Sequence, residues 1–144
     1  MDFTGQVAIV TGSSAGIGAD AALGIAKHGG KVVVNYASNQ AAGEAIAARC
    51  KELGGDAITV GADVSEDANC KMLVDAAMDT WGQLDILVNN AGTTKFMNHD
   101  NLEGLDKNDF EQIYELNPIA PYQTVEKARP HMKNSDAPSI VNIS

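Results

Sequence analysis

Residues 11–18, Thr-Gly-Ser-Ser-Ala-Gly-Ile-Gly, place three glycines where an apolar strand gives way to a helix, a combination suited to holding an anion. The run Val7-Ala8-Ile9-Val10 precedes them. Ile17, Ala21, Gly24 and Ile25 follow at the i, i+4, i+7, i+8 spacing of one helix face. Glycines 12, 16 and 18 can take positive φ and admit a ligand or another backbone at close range. The N–H groups of the first helical turn lack partners within the helix, and its dipole favours negative charge above the loop. A diphosphate satisfies both conditions, and Gly12, Ser14, Ile17 and Gly18 are the candidate cradle. The spacing Gly-x-x-x-Gly-x-Gly departs from the usual Gly-x-Gly-x-x-Gly fingerprint, and no Gly-Lys-Ser/Thr ending follows, which argues against phosphoryl transfer. Taken alone, such a turn can also serve only to pack a helix on a sheet.

Four further groups accompany the loop. Asp63-Val64 comes first. Asn89-Asn90-Ala91-Gly92 follows the apolar run Ile86-Leu87-Val88, Asn117 sits in a helical segment, and Ser-Ile-Val-Asn-Ile-Ser occupies 139–144. In this order the set resembles the short-chain dehydrogenase/reductase family from Gln6 to Ser144. The run Val32 to Ala37 is most similar to its ketoacyl-reductase and sugar- or alcohol-dehydrogenase branches, glucose dehydrogenase among them.

The resemblance implies hydride transfer between a nicotinamide, NADP or NAD, and a small-molecule carbonyl or secondary alcohol. It implies that Asp63 accepts from the adenine amino group beside Val64, and that Asn90, Ala91 and Gly92 let the backbone reach the adenosine ribose. It also implies that Asn117 anchors a water in the proton relay, that Ser144 is the first of a serine pair, and that the chain forms a dimer or tetramer through the helix at 108–133. Two of these residues keep a simpler reading. Asp63 beside Ser65 fits a carboxylate at a helix start, and Asn89 or Asn90 fits a tie between neighbouring strands.

The residue about 20 positions past a glycine loop commonly selects between the two nicotinamides. It is Tyr36 here, so the acid that would repel a 2′-phosphate is missing. No basic residue stands at Ala15, Ala37 or Ser38 to attract that phosphate. Without repulsion, and with polar donors at Ser38 and Asn39, the balance tips toward NADP; Tyr36→Asp is expected to move it toward NAD.

The family's catalytic Tyr-x-x-x-Lys does not occur within these residues. Tyr36, Tyr114 and Tyr122 are followed four places on by Gln40, Pro118 and Glu126. Tyr122 and Lys127 are five apart, about 140° around a helix, and cannot act as a pair. The second serine of the pair is likewise not among them. These residues are therefore expected to be the cofactor-binding part of a longer enzyme. A non-catalytic dinucleotide-binding module is the alternative, and a flavodoxin-like interaction domain is a third reading. Pro118, directly after Asn117, removes a helical donor and is expected to kink that helix.

The elements that must position these residues alternate. Strands are predicted near 6–11, 31–36, 56–60, 84–89 and 139–143, and helices near 16–28, 39–53, 66–81 and 108–133, with a short one near 100–105. Ser65 is the predicted N-cap of the third helix and Asn108/Glu111 the predicted capping box of the fourth. Right-handed crossovers then give an α/β fold with a doubly wound, Rossmann-type parallel sheet of order 3-2-1-4-5, truncated after the fifth strand, and residues 1–144 form one dinucleotide-binding domain. Its ligand crevice falls between strands one and four.

Composition narrows the partners. Ten Lys and Arg against 19 Asp and Glu give a net charge of −9, which disfavours nucleic acid. No apolar run approaches the roughly 20 residues of a membrane span, and no signal pattern opens the chain, so a cytoplasmic location is expected. Cys50 and Cys70 read as small buried residues, and the histidines show no metal-ligand spacing, so no metal is expected.

Overall fold

The computed structural model describes residues 1–144. Five parallel strands alternate with helices: β1 (Val7–Val10), α1 (Gly16–Lys27), β2 (Lys31–Tyr36), α2 (Gln40–Glu52), β3 (Asp56–Gly61), α3 (Asp67–Trp81), β4 (Ile86–Asn89), α4 (Lys107–Tyr114), α5 (Ala120–Met132) and β5 (Ser139–Asn142). A single 3-10 turn covers Leu102–Gly104. The strand order is β3-β2-β1-β4-β5, a doubly wound α/β sheet of Rossmann type. No helix is long and apolar enough to cross a membrane.

Strand alternation divides the core into two layers. Val7 and Ile9 of β1, Val33 of β2 and Leu87 of β4 face α3 and α5, where Leu73, Val74, Ala77, Ala128 and Met132 meet them. Ala8, Val10, Val32, Val34, Ile86 and Val88 face the other way, onto Ala22, Ile25 and Ala26 of α1 and Ala47 and Cys50 of α2. Glycines 29 and 54, at φ +86° and +99°, reverse the chain after the first two helices. β5 pairs with β4 from Ser139 to Asn142 and has its other edge open.

Four local expectations are corrected. The buried face of α1 is Gly18, Ala19, Ala22, Ile25 and Ala26, so Ile17 is not part of it and is 64% exposed. Only the smallest side chains let the first turn approach the sheet, which leaves Ile17 outside. The N-cap of α3 is Glu66, with no side-chain bond, because the Ser65 hydroxyl is donated to Asp63 at 2.7 Å. The capping box at α4 is Asp106/Asp109, with reciprocal bonds of 3.0 and 2.9 Å. The Lys95 ammonium on Asp109 at 2.7 Å holds that carboxyl below its ordinary range.

The fourth correction concerns the long helix. It is two helices joined by a π-helical turn, Glu115–Ile119, in which the Ala120 N–H donates to the Glu115 carbonyl. The wider turn makes room for the Pro118 ring and for its missing N–H. Asn117 keeps helical neighbours and the chain continues into α5.

Both cysteines are fully buried. Burial pushes the Cys50 thiol up to about 11. It raises Cys70 as well, against a smaller opposing effect of the Thr124 hydroxyl. Neither thiol should react with a disulfide reagent at about pH 8 in the folded protein, while both react at once on unfolding; a timed thiol assay with and without denaturant checks this.

Candidate functional site

The two glycine-bearing motifs meet where β1 and β4 end side by side. Thr11, 2% exposed, lies between them, its hydroxyl oxygen accepting the N–H groups of Asn90 and Ala91, both at 3.0 Å. In return the Asn90 amide donates to the carbonyls of Thr11 and Gly12, at 3.0 and 3.1 Å. Gly12 and Gly16 take the left-handed conformation, at φ +62° and +58°. Gly18 does not; it sits within α1 and is needed for space, since a Cβ there would lie 2.4 Å from Asn90 Nδ2.

Two hollows flank this junction. The first, about 280 Å³, is lined by Gly12 and Ser14 on one side, Ala37, Ser38 and Asn39 after β2, and Asp63 and Val64 after β3. The second, about 560 Å³, is lined by Ile17, Thr93, Asn117, Pro121, Ile143 and Ser144. Asn90, Ala91 and Gly92 line both and form the ridge between them. The residues singled out from the sequence thus line these hollows, except Gly18, which packs against Asn90, and Tyr36. The Tyr36 ring faces α2 and β3 instead, where a Cβ on Gly43 or Gly61 would lie 2.7 Å from it.

The side chains that shape the hollows have definite partners. Asp63 Oδ1 accepts from the N–H and hydroxyl of Ser65, at 3.0 and 2.7 Å. Its carbonyl accepts from Asn69 Nδ2 at 2.9 Å. This is the helix-start arrangement, and the carboxylate remains exposed beside Val64 at the mouth of the first hollow. Asn117 forms a two-point clasp on the Thr93 backbone, accepting its N–H at 2.8 Å and donating to its carbonyl at 2.9 Å. Asn89 donates to Asn142 Oδ1 at 2.9 Å and fixes the last step of the β4–β5 ladder before Ser144.

Whether a dinucleotide fits can be judged from the start of α1. Its N-cap, Ala15, offers no side-chain bond, and its first turn holds no acid. By contrast α2 and α4 are capped by Asn39 and Asp106. The N–H groups of α1 therefore open toward the loop without a protein acceptor, and a Cβ on Gly16 would meet only open space. That is the donor set a diphosphate takes.

The sequence profile of the short chain dehydrogenase family matches residues 6–144. The chain belongs to that family. As a short-chain dehydrogenase it is 44% identical over 138 residues to a Streptomyces violaceoruber protein named "Granaticin polyketide synthase putative ketoacyl reductase 2", a match covering 96% of this chain and 54% of that one. To versicolorin reductase of Emericella nidulans it is 34% identical over 129 residues, covering 90% and 48%. The crystal structure of hydroxysteroid dehydrogenase from Escherichia coli superposes with a TM-score of 0.89 at 31% identity, over 99% of this chain and 59% of that one. The chain spans about half the length of the curated relatives it matches.

Thr11 and Ser13 lie inside the 11–18 motif but had no role assigned from the sequence, and neither had Asn35. Ser13 is fully buried, and Asn35 is the polar residue that closes the apolar run Val32-Val33-Val34. A buried-strand pattern interrupted by an amide was the available signal, because such a group persists in a core only when it is hydrogen-bonded.

Proposed function

We propose that these residues are the dinucleotide-binding Rossmann portion of an NAD(P)-dependent oxidoreductase that transfers hydride between a nicotinamide and a carbonyl or secondary alcohol. The observation that carries this reading is the uncapped, acid-free start of α1 opening beside the Thr11–Asn90 junction. Gly12, Ser14, Ile17 and Gly18 would hold the diphosphate. Asp63 and Val64 would border the adenine, and Asn90, Ala91 and Gly92 the adenosine ribose, with Ala37 and Ser38 at the rim beside its 2′ position. When bound, the nicotinamide supplies the hydride acceptor or donor.

The chain's own residues prepare that chemistry. Ile17 and Pro121 would give the second hollow apolar walls beside the reacting carbon. The Asn117 clasp on Thr93 fixes the wall on which a relay water would be ordered, and the β4–β5 ladder aims Ser144 at the same space. The Tyr-x-x-x-Lys that moves the proton is assigned to the longer enzyme of which these residues form part. The similarity to a ketoacyl reductase and to versicolorin reductase supports ketone reduction as the direction and a polyketide-like ketone as the substrate class. A homo-oligomer is part of the same proposal.

NADP is the proposed cofactor, because the rim of the first hollow at Ala37, Ser38 and Asn39 carries no carboxylate. Ala37→Asp should weaken NADPH by about tenfold or more while leaving NADH within about threefold, since the new charge opposes only the 2′-phosphate. Paired titrations measure the ratio. For the oxidoreductase reading, the longer enzyme is offered NADPH with a panel of ring and aromatic ketones. Consumption of NADPH with any of them upholds it. Tight binding without turnover on the whole panel would favour a non-catalytic module.

A further inference from the structure

Asn35, at 2% exposed, spends both ends of its carboxamide on the backbone beneath the first hollow. Its Oδ1 accepts the Gly12 N–H at 2.9 Å. Its Nδ2 donates to the carbonyls of Ala62, Val60 and Tyr36, at 2.9, 3.2 and 3.3 Å. Its own N–H donates to Ser13 Oγ at 2.9 Å, and its carbonyl accepts the Ser13 N–H at 2.9 Å. Ser13 completes the link by donating to the Val10 carbonyl at 2.7 Å. One side chain therefore joins the carboxyl ends of β1, β2 and β3.

Only a carboxamide offers an acceptor to one N–H and donors to several carbonyls from the same position. An aspartate would keep the bond to Gly12 and set a carboxylate against carbonyl oxygens. A serine is too short to reach both sides. Both sets of bonds are needed: the carbonyl bonds hold the corner after β3, and the bond to Gly12 holds a turn at φ +62° with Ala91 Cα 3.0 Å from where a Cβ would be. The turn has little room to take another shape.

We propose that Asn35 is the positioning residue of the adenosine diphosphate half of the cleft, holding the Gly12 turn and the Ala62–Asp63 corner in one fixed register. The inference rests on the dinucleotide reading given above. Because that half is common to both nicotinamide cofactors, loss of Asn35 weakens NADH and NADPH by the same factor. This separates its role from that of Ala37, which acts on their ratio.

The test titrates ADP-ribose, the cofactor without its nicotinamide, into the chain, into Asn35→Asp and Asn35→Ser, and into Leu84→Ala, all below their unfolding midpoints. Leu84 is 1% exposed and lines a cavity at the opposite end of the sheet, so its variant loses stability without touching the cleft. The expected result is a loss of about tenfold or more in affinity for either Asn35 variant, with Leu84→Ala within about twofold of the parent. Two readable variants guard against one failing to fold. Parent-like affinity in the Asn35 variants, or an equal loss in Leu84→Ala, overturns the inference while leaving the dinucleotide reading in place. Failure of the parent chain to bind ADP-ribose overturns that reading and this inference together.

Discussion

Gly18→Ala is expected to cost the chain its dinucleotide affinity by about a hundredfold, a loss of about 2.7 kcal/mol. The added Cβ would lie 2.4 Å from Asn90 Nδ2 and 2.7 Å from the Gly12 carbonyl oxygen. Asn90 would have to swing away and surrender its bonds to Thr11 and Gly12. The Gly12 carbonyl belongs to the backbone, so the loop itself must shift. Both movements displace the donors that face the diphosphate. Gly24, six residues further along the same helix, is the control: a Cβ there meets nothing within 4 Å. Gly24→Ala should leave binding unchanged and raise stability by up to about 1 kcal/mol through the helix preference of alanine. Titration of NADPH into both variants, with their thermal midpoints, decides the matter.

The second large effect lies at the opposite end of the sheet. Asp85, 3% exposed, accepts the Val7 N–H at 2.8 Å, the Gln83 amide at 2.6 Å and the Ser135 hydroxyl at 2.6 Å. It ties β1 to β4 and to the turn before β5. Asp85→Ala should destabilise the fold by about 3 kcal/mol, because it leaves the buried Val7 N–H and Ser135 hydroxyl without their acceptor. The corresponding fall in midpoint is about 10 °C. Asp85→Asn keeps the shape and one acceptor oxygen, and should cost about half as much. Dinucleotide affinity per folded molecule should be unchanged in both, since no Asp85 partner lines either hollow. A midpoint shift below about 2 °C in Asp85→Ala would show that water replaces the carboxylate without loss.

The reach of the sequence reading follows the reach of the interactions. The alternation of apolar runs with glycine-stopped helices is local, and every strand and the first three helices fall where it places them, while the helix predicted at 108–133 is two helices about a π-helical turn. The sheet order follows from handed crossovers. What was missed depends on partners far away in the chain. Asp85 bonds residues 78 and 50 positions distant, and Asn35 bonds residues 23 to 27 distant. Nothing in its neighbours announces the role of Asp85, and the amide that interrupts the apolar run Val32-Val33-Val34 is the one local sign of Asn35. At Pro118 the local rule was sound and its remedy was not legible: the penalty is absorbed by one widened turn, which the Asn117 clasp on Thr93 then braces. The α4 cap was misplaced because Asp106 competes with Asn108 for the same task, and Lys95 settles the choice by pairing with Asp109.

The central claim is that a dinucleotide occupies the cleft on either side of the Asn90–Gly92 ridge. An amide NMR titration of the chain with NADPH tests it most directly. Saturable shifts are expected at Gly12, Ile17, Gly18, Val64, Ala91 and Gly92, with the amides around Asp85 and Ser135 unmoved. A spectrum unchanged by NADPH and NADH alike, or shifts confined to the Asp85 end of the sheet, would contradict it.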